Sequence, residues 1–223
     1  MSAILVAQGL EHSDHDAVYR TLNNSFIKAG PWAEHVDGDG RPDWERMMGG
    51  PLPDWMSTWA IWQRQWEITF AEHGLVGDVE QAADHTRAQL SAAEAYPDAH
   101  ETIERLAAAG FTLALLSNAD EDFLQSALSR AQLRFSVIQT SESLRAYKPH
   151  RSVFLALCQR LGMEPREVLY VGDSLPTDVH GAHNAGLRTA WVRRSERPLP
   201  QDSPGPDIEL PSLSLLADLL ETR

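Results

Sequence analysis

The chain has 223 residues, 43% of them hydrophobic, and its 19 Lys and Arg against 32 Asp and Glu give a net charge of -13. An acidic chain has no general attraction to phosphate backbones or anionic lipid, which argues against nucleic acid and membrane surfaces as partners. No apolar run approaches the ~18 residues of a membrane span, and no basic region precedes an apolar stretch at the start. The single cysteine, Cys158, lies on an apolar helical pattern and cannot form an internal disulfide, so a cytoplasmic protein is expected.

Residues 3–7 form a short apolar run that predicts a first strand, closed by Gln8-Gly9. Ser13 or Asp14 then opens a helix with Val18, Leu22, Phe26 and Ile27 on one face, stopped at Gly30-Pro31. Residues 31–54 are rich in Gly, Pro and Asp. Asp37, Asp39 and Asp43 have the look of a calcium loop, but the later bidentate acid is missing, so a solvated loop is expected. Trp55, Trp59, Trp62, Trp66 and Phe70 follow at helical spacing, and six of the seven tryptophans fall between 32 and 66. Such an aromatic face predicts helix–helix packing, with some rings roofing a pocket. A further helix runs from about Val79 to Leu90, so residues 12–90 read as all-helical.

After Tyr96-Pro97 the texture changes. Helices are predicted over 98–109, from Asp120 onward, over 152–161, before Gly186 and over 213–220. Strands are predicted over 111–116, 135–139, 168–171 and 189–192, with an edge strand at 207–210. This alternation predicts an α/β fold, a Rossmann-like parallel sheet with helices on both faces. The carboxyl edge of such a sheet is where ligands bind. Ser117 and Asn118 end one strand, Lys148 sits in the loop after another, and Asp173 ends a third, with Asp178 five residues on. A hydroxyl, an amide, an ammonium and carboxylates around one crevice suit a phosphoryl group and a hard cation. Each residue alone also serves as a cap or a solvated charge.

Three stretches carry a resemblance. Leu113-Ala114-Leu115-Leu116-Ser117-Asn118, then Tyr147-Lys148-Pro149 before a helix with Phe154, then Val168 to Asp178 continuing through Gly181-Ala182 to Leu187, resemble the second, third and fourth motifs of the haloacid dehalogenase superfamily. The resemblance implies a hydrolase of the small helical-cap subclass, with a core at 1–11 and 91–223 and an inserted all-helical cap at 12–90. It also implies a Mg2+-dependent phosphatase of a small phosphorylated metabolite, with dehalogenase chemistry as the other branch. Asp173, with Asp178 beside it, would hold the metal. Ser117, Asn118 and Lys148 would hold phosphate, and Lys148 and Asp173 would serve catalysis.

The first motif departs from that pattern. The family's first strand ends in a nucleophilic Asp, whereas residues 3–6 are followed by Ala7, and counting back from Gly9 puts Val6 at that place. Asp14, in Asp14-His15-Asp16, is a weak substitute because no apolar strand precedes it; a helix N-terminus accounts for it. His180 and His183 lack a third ligand and read as surface helix residues. Two expectations follow. In one, the chain is a hydrolase whose start is misassigned or whose nucleophile is Asp14. In the other, it is a catalytically inactive relative that binds or regulates.

Overall fold

The computed structural model describes residues 2–10, 13–36, 41–194 and 205–221. Asp37 and Asp39 of the calcium-like loop lie outside them. The first half is helical: α1 (Ser2–Ala7), α2 (His15–Asn24), α3 (Phe26–Ala29), α4 (Trp44–Gly49), α5 (Thr58–His73) and α6 (Val79–Ser91). Polar residues set the starts. Asp14, Asp43, Ser57 and Asp78 each accept a backbone N–H three residues on, which satisfies one of the orphan donors of α2, α4, α5 and α6.

The strand expected at residues 3–7 is a helix. Ile4 and Leu5 are adjacent and both buried, packed with Val18, Leu22, Trp62, Trp66 and Phe70, while Val6 is 55% exposed. A short apolar run fits a buried helical turn as well as a strand, and here the helical layer supplies the apolar surroundings. Val6 and Ala7 therefore end no strand and stand at no nucleophile position. The tryptophan face is partly as expected. Trp62, Trp66 and Phe70 of α5 are buried, and the Trp66 Nε1–H donates to Thr86 Oγ1 at 2.9 Å on α6. Trp55 precedes the Ser57 cap and lies outside the helix.

The second half is the expected α/β layer: α7 (Ala99–Ala108), β1 (Ala114–Ser117), α8 (Glu121–Ala131), β2 (Val137–Thr140), α9 (Ser141–Leu144), α10 (Arg151–Leu161), β3 (Leu169–Gly172), α11 (Gly181–Asn184), β4 (Arg188–Val192), β5 (Ile208–Leu210) and α12 (Ser214–Glu221). A 3-10 turn leads into β3, and a wide π-helical segment, Leu175–His180, joins it to α11. All pairings are parallel, in two groups: β1 with β2, and β3 with β4 with β5. Helices cover both faces. α7 and α12 pack on one through Leu106 and Leu216, and α10 and α11 on the other through Phe154, Leu157 and Ala182.

Among the contacts that join the layers are those of Tyr147 and Asp120. Tyr147 stacks edge-on against Trp32, with ring centroids 4.8 Å apart, and its hydroxyl donates to the Met56 carbonyl. Asp120, just past β1, accepts from the Thr58 and Trp59 backbone N–H groups at 2.8 and 3.1 Å, capping α5 from outside. Asp120→Ala strands both donors and is expected to lower the unfolding free energy by about 1–2 kcal/mol, measured by urea denaturation.

Candidate active site

Four segments meet at the carboxyl ends of β1 and β3. Asn118, one residue past β1, uses its whole amide on the next loop. Its Nδ2–H donates to the Lys148 carbonyl at 3.0 Å, and the Lys148 N–H donates to Oδ1 at 2.8 Å. The side-chain amide thus ties the end of β1 to the Lys148 loop. Lys148 Nζ then donates to Asp178 Oδ1 at 2.8 Å, to the Tyr170 hydroxyl at 3.1 Å and to the Leu116 carbonyl at 3.4 Å. The Lys148 and Asp178 side chains are only 13% and 7% exposed. Asp178 Oδ2 accepts the Ser174 N–H at 3.0 Å, so both carboxylate oxygens are engaged.

The electrostatics follow from this packing. Burial works against the Lys148 charge, but the Tyr170 and Asp178 oxygens overcome it and raise the ammonium above the ordinary lysine range. Burial, with the Asp178 carboxylate nearby, pushes the Tyr170 phenol up to about 12 against the opposing pull of Lys148. The ammonium stays charged and the phenol neutral at physiological pH.

Asp173 differs from Asp178. The Trp191 Nε1–H fixes its backbone by donating to its carbonyl at 2.9 Å, while its carboxylate is exposed and makes no ion pair among the described residues. Ser117 ends β1 opposite Thr140. Asp14 lies elsewhere, as the exposed cap of α2, with the Ala17 N–H holding its carboxyl below the usual range. His183 is exposed on α11, and among the described residues no three His, Cys, Asp or Glu gather as a metal site. Cys158 is buried among Phe154, Leu157 and Tyr170, and burial raises its thiol.

Sequence reasoning missed Tyr170 and the Leu116 carbonyl. The available signal was a hydroxyl-bearing aromatic in an otherwise aliphatic strand, two residues before Gly172. As for the tryptophans, Trp62 and Trp66 line a cavity of about 450 Å³ within the helical layer, away from Lys148. Trp32 and Trp55 line a much smaller one beside Arg145 and Tyr147.

Residues 41–192 match the model of the haloacid dehalogenase-like hydrolases. (S)-2-haloacid dehalogenase 1 of Pseudomonas sp. strain CBS-3 is 31% identical over 79% of this chain and 77% of its own length. (S)-2-haloacid dehalogenase 4A of Burkholderia cepacia is 37% identical over 47% of this chain, and a phosphoglycolate phosphatase of Haemophilus influenzae is 40% identical over 41%. In those two cases the match spans 46% and 41% of the relative, less than half its length. Among solved structures, the L-2-haloacid dehalogenase of Xanthobacter autotrophicus superposes with a TM-score of 0.76 at 22% identity, covering 99% of this chain and 93% of that one. The magnesium-bound HAD-hydrolase YfnB of Bacillus subtilis gives 0.75 at 22%, covering 98% and 88%. The family match over most of the chain, together with the dehalogenase relative that covers more than two thirds of it, settles membership: this chain belongs to the haloacid dehalogenase-like hydrolases.

Proposed function

We propose that the chain acts on a small phosphorylated metabolite in the cytoplasm, as a Mg2+-dependent phosphomonoester hydrolase whose helical residues 12–90, joined by α1, form the cap that selects substrate. The observation that carries this is a buried, charged ammonium, Lys148, at the same strand edge as an exposed carboxylate, Asp173. Lys148 draws the phosphoryl oxygens in and neutralises charge, Ser117 offers a hydroxyl at the end of β1, and Asn118 holds the lysine loop in place. Asp173 fits as a Mg2+ ligand, because this ion is commonly held by one or two carboxylates with waters and substrate phosphate completing the shell. Asp178 fits less well, since both its oxygens are already engaged. When bound, Mg2+ supplies further charge neutralisation at the phosphoryl group.

The test is turnover of a generic phosphomonoester with Mg2+. Asp173→Asn is expected to lower it by a factor of about 100 or more, and Asp14→Asn to leave it unchanged. Turnover that survives Asp173→Asn, or chloride release from a 2-chloro acid in place of phosphate release, overturns the assignment. A second reading has its own observation. Among the described residues no carboxylate stands on a strand between β1 and β3. The chain then binds phosphate without hydrolysing it, which calorimetry with inorganic phosphate and an absence of turnover would establish together.

A further inference from the structure

We propose that the cavity between α1, α2, α5 and α6 is a binding site for a small uncharged aromatic compound that carries a hydroxyl group. The inference rests on the helical layer and does not need the hydrolase reading.

Three observations carry it. The first is size and depth. At about 450 Å³ the cavity falls within the range of small-molecule sites. Ile4, Leu22, Trp62 and Trp66 wall its inner part and are buried, while Tyr19 and Leu90, each 48% exposed, stand at its mouth. Two buried indoles and the Tyr19 ring are flat surfaces, which favour a flat ring in the occupant.

The second is the lack of charge. Among the described residues, no Asp, Glu, Lys, Arg or His lines the cavity. An ion moved there loses its hydration and gains no counter-charge, so the occupant is neutral. A phosphorylated compound is excluded on the same ground, which separates this cavity from the strand edge at Lys148.

The third is a pair of polar groups left over on α5. Gln65 and Trp62 both line the cavity and are only 6% and 8% exposed. Gln65 Nε2–H donates to the Leu22 carbonyl at 2.7 Å. A carbonyl only accepts, so this bond fixes the amide's orientation and turns Oε1 the other way. Among the described residues, no group donates to Gln65 Oε1 and none accepts from the Trp62 Nε1–H. Buried amide and indole groups ordinarily find partners. The polar atoms beside them are already used: Trp66 Nε1–H donates to Thr86 Oγ1 at 2.9 Å, and the Thr86 hydroxyl donates to the Ala82 carbonyl at 3.0 Å. Trp62 and Gln65 are three residues apart on one helix and share a face. A ligand hydroxyl supplies what both lack, donating to Gln65 Oε1 and accepting from Trp62.

The probe is 2-naphthol, uncharged at neutral pH, with 2-methoxynaphthalene and 2-naphthoate for comparison, each titrated into the full chain by calorimetry. 2-Naphthol is expected to bind once per chain and to shift the indole N–H resonances of Trp62 and Trp66 while leaving that of Trp191 in place. The methyl ether cannot donate and is expected to bind about fivefold more weakly. The carboxylate is expected not to bind. Gln65→Met keeps the length of the side chain and removes the acceptor. It is expected to weaken 2-naphthol about fivefold and to leave the ether's affinity unchanged. Leu90→Trp fills the mouth from an exposed position, where folding is not at stake, and is expected to weaken both compounds. Equal affinity for the phenol and its ether overturns the proposal, as does a carboxylate that binds as tightly as the phenol. An equal loss of both compounds in Gln65→Met, or binding that Leu90→Trp leaves intact, overturns it too. So does heat that never saturates, which marks partition onto exposed apolar surface.

Discussion

Lys148→Met is expected to lower the unfolding free energy by about 3–5 kcal/mol, because it leaves a carboxylate buried without its cation. Asp178 is 7% exposed and, among the described residues, has no other cation at hydrogen-bond distance; its remaining partners there are the Ser174 N–H and the Tyr170 hydroxyl. The double variant Lys148→Met/Asp178→Asn removes both charges, and Asn still accepts the Ser174 N–H. It is expected to recover much of the loss, so the two single effects sum to more than the double. Urea denaturation of the four proteins at neutral pH measures this. Equal losses in the single and double variants would show that the lysine stem, and not the charge, matters. The same cluster sets an alkaline limit. Lys148 and Tyr170 both hold their protons more tightly folded than at their ordinary values of 10.5 and 10.0. The unfolded chain therefore releases protons first as pH rises. The stability they contribute is complete below about pH 10 and is lost as pH climbs through the folded values. Tyr170→Phe is expected to flatten this decline between pH 10 and about 12, the value reached by the Tyr170 phenol.

Why the strand edges were legible and the first strand was not is a matter of what local pattern encodes. Residues 111–116, 135–139, 168–171 and 189–192 are apolar runs bounded by turn residues and interleaved with helical periods, and each became a strand within a few residues of expectation. Residues 3–7 carry the same composition, but Ile4 and Leu5 found their partners in Val18, Leu22 and Trp66, and tertiary surroundings decided for a helix. The candidate site was legible as an order of residue types: Ser117-Asn118, then Lys148, then Asp173 and Asp178. Its internal wiring was not. Nothing local states that Asn118 turns to the Lys148 backbone, that Asp178 pairs with Lys148 while Asp173 faces solvent, or that Asp120 caps a helix 61 and 62 positions away. Each of these depends on where two distant segments meet.

Gly172→Ala tests how tightly that wiring is held. Gly172 ends β3, and a Cβ there would lie 2.4 Å from Asp178 Cβ and 2.5 Å from its Cγ and Oδ2. The carboxylate has no free direction in which to yield, since Oδ1 is held by Lys148 and Oδ2 by the Ser174 N–H. One of those bonds must break, or β3 must move against β4, with which Gly172 is in register at Trp191. A loss of about 2–3 kcal/mol is expected from the overpacking and the weakened ion pair together. Gly49→Ala is the matched control: its added Cβ meets nothing within 4 Å, and a change within about 0.5 kcal/mol is expected. If the loss arises through Asp178, then Gly172→Ala and Lys148→Met share one mechanism, and combining them costs clearly less than their sum. Full additivity would place the strain in the β3–β4 ladder instead. The glycine would then be required by the sheet, and the lysine–carboxylate pair would tolerate a displaced partner.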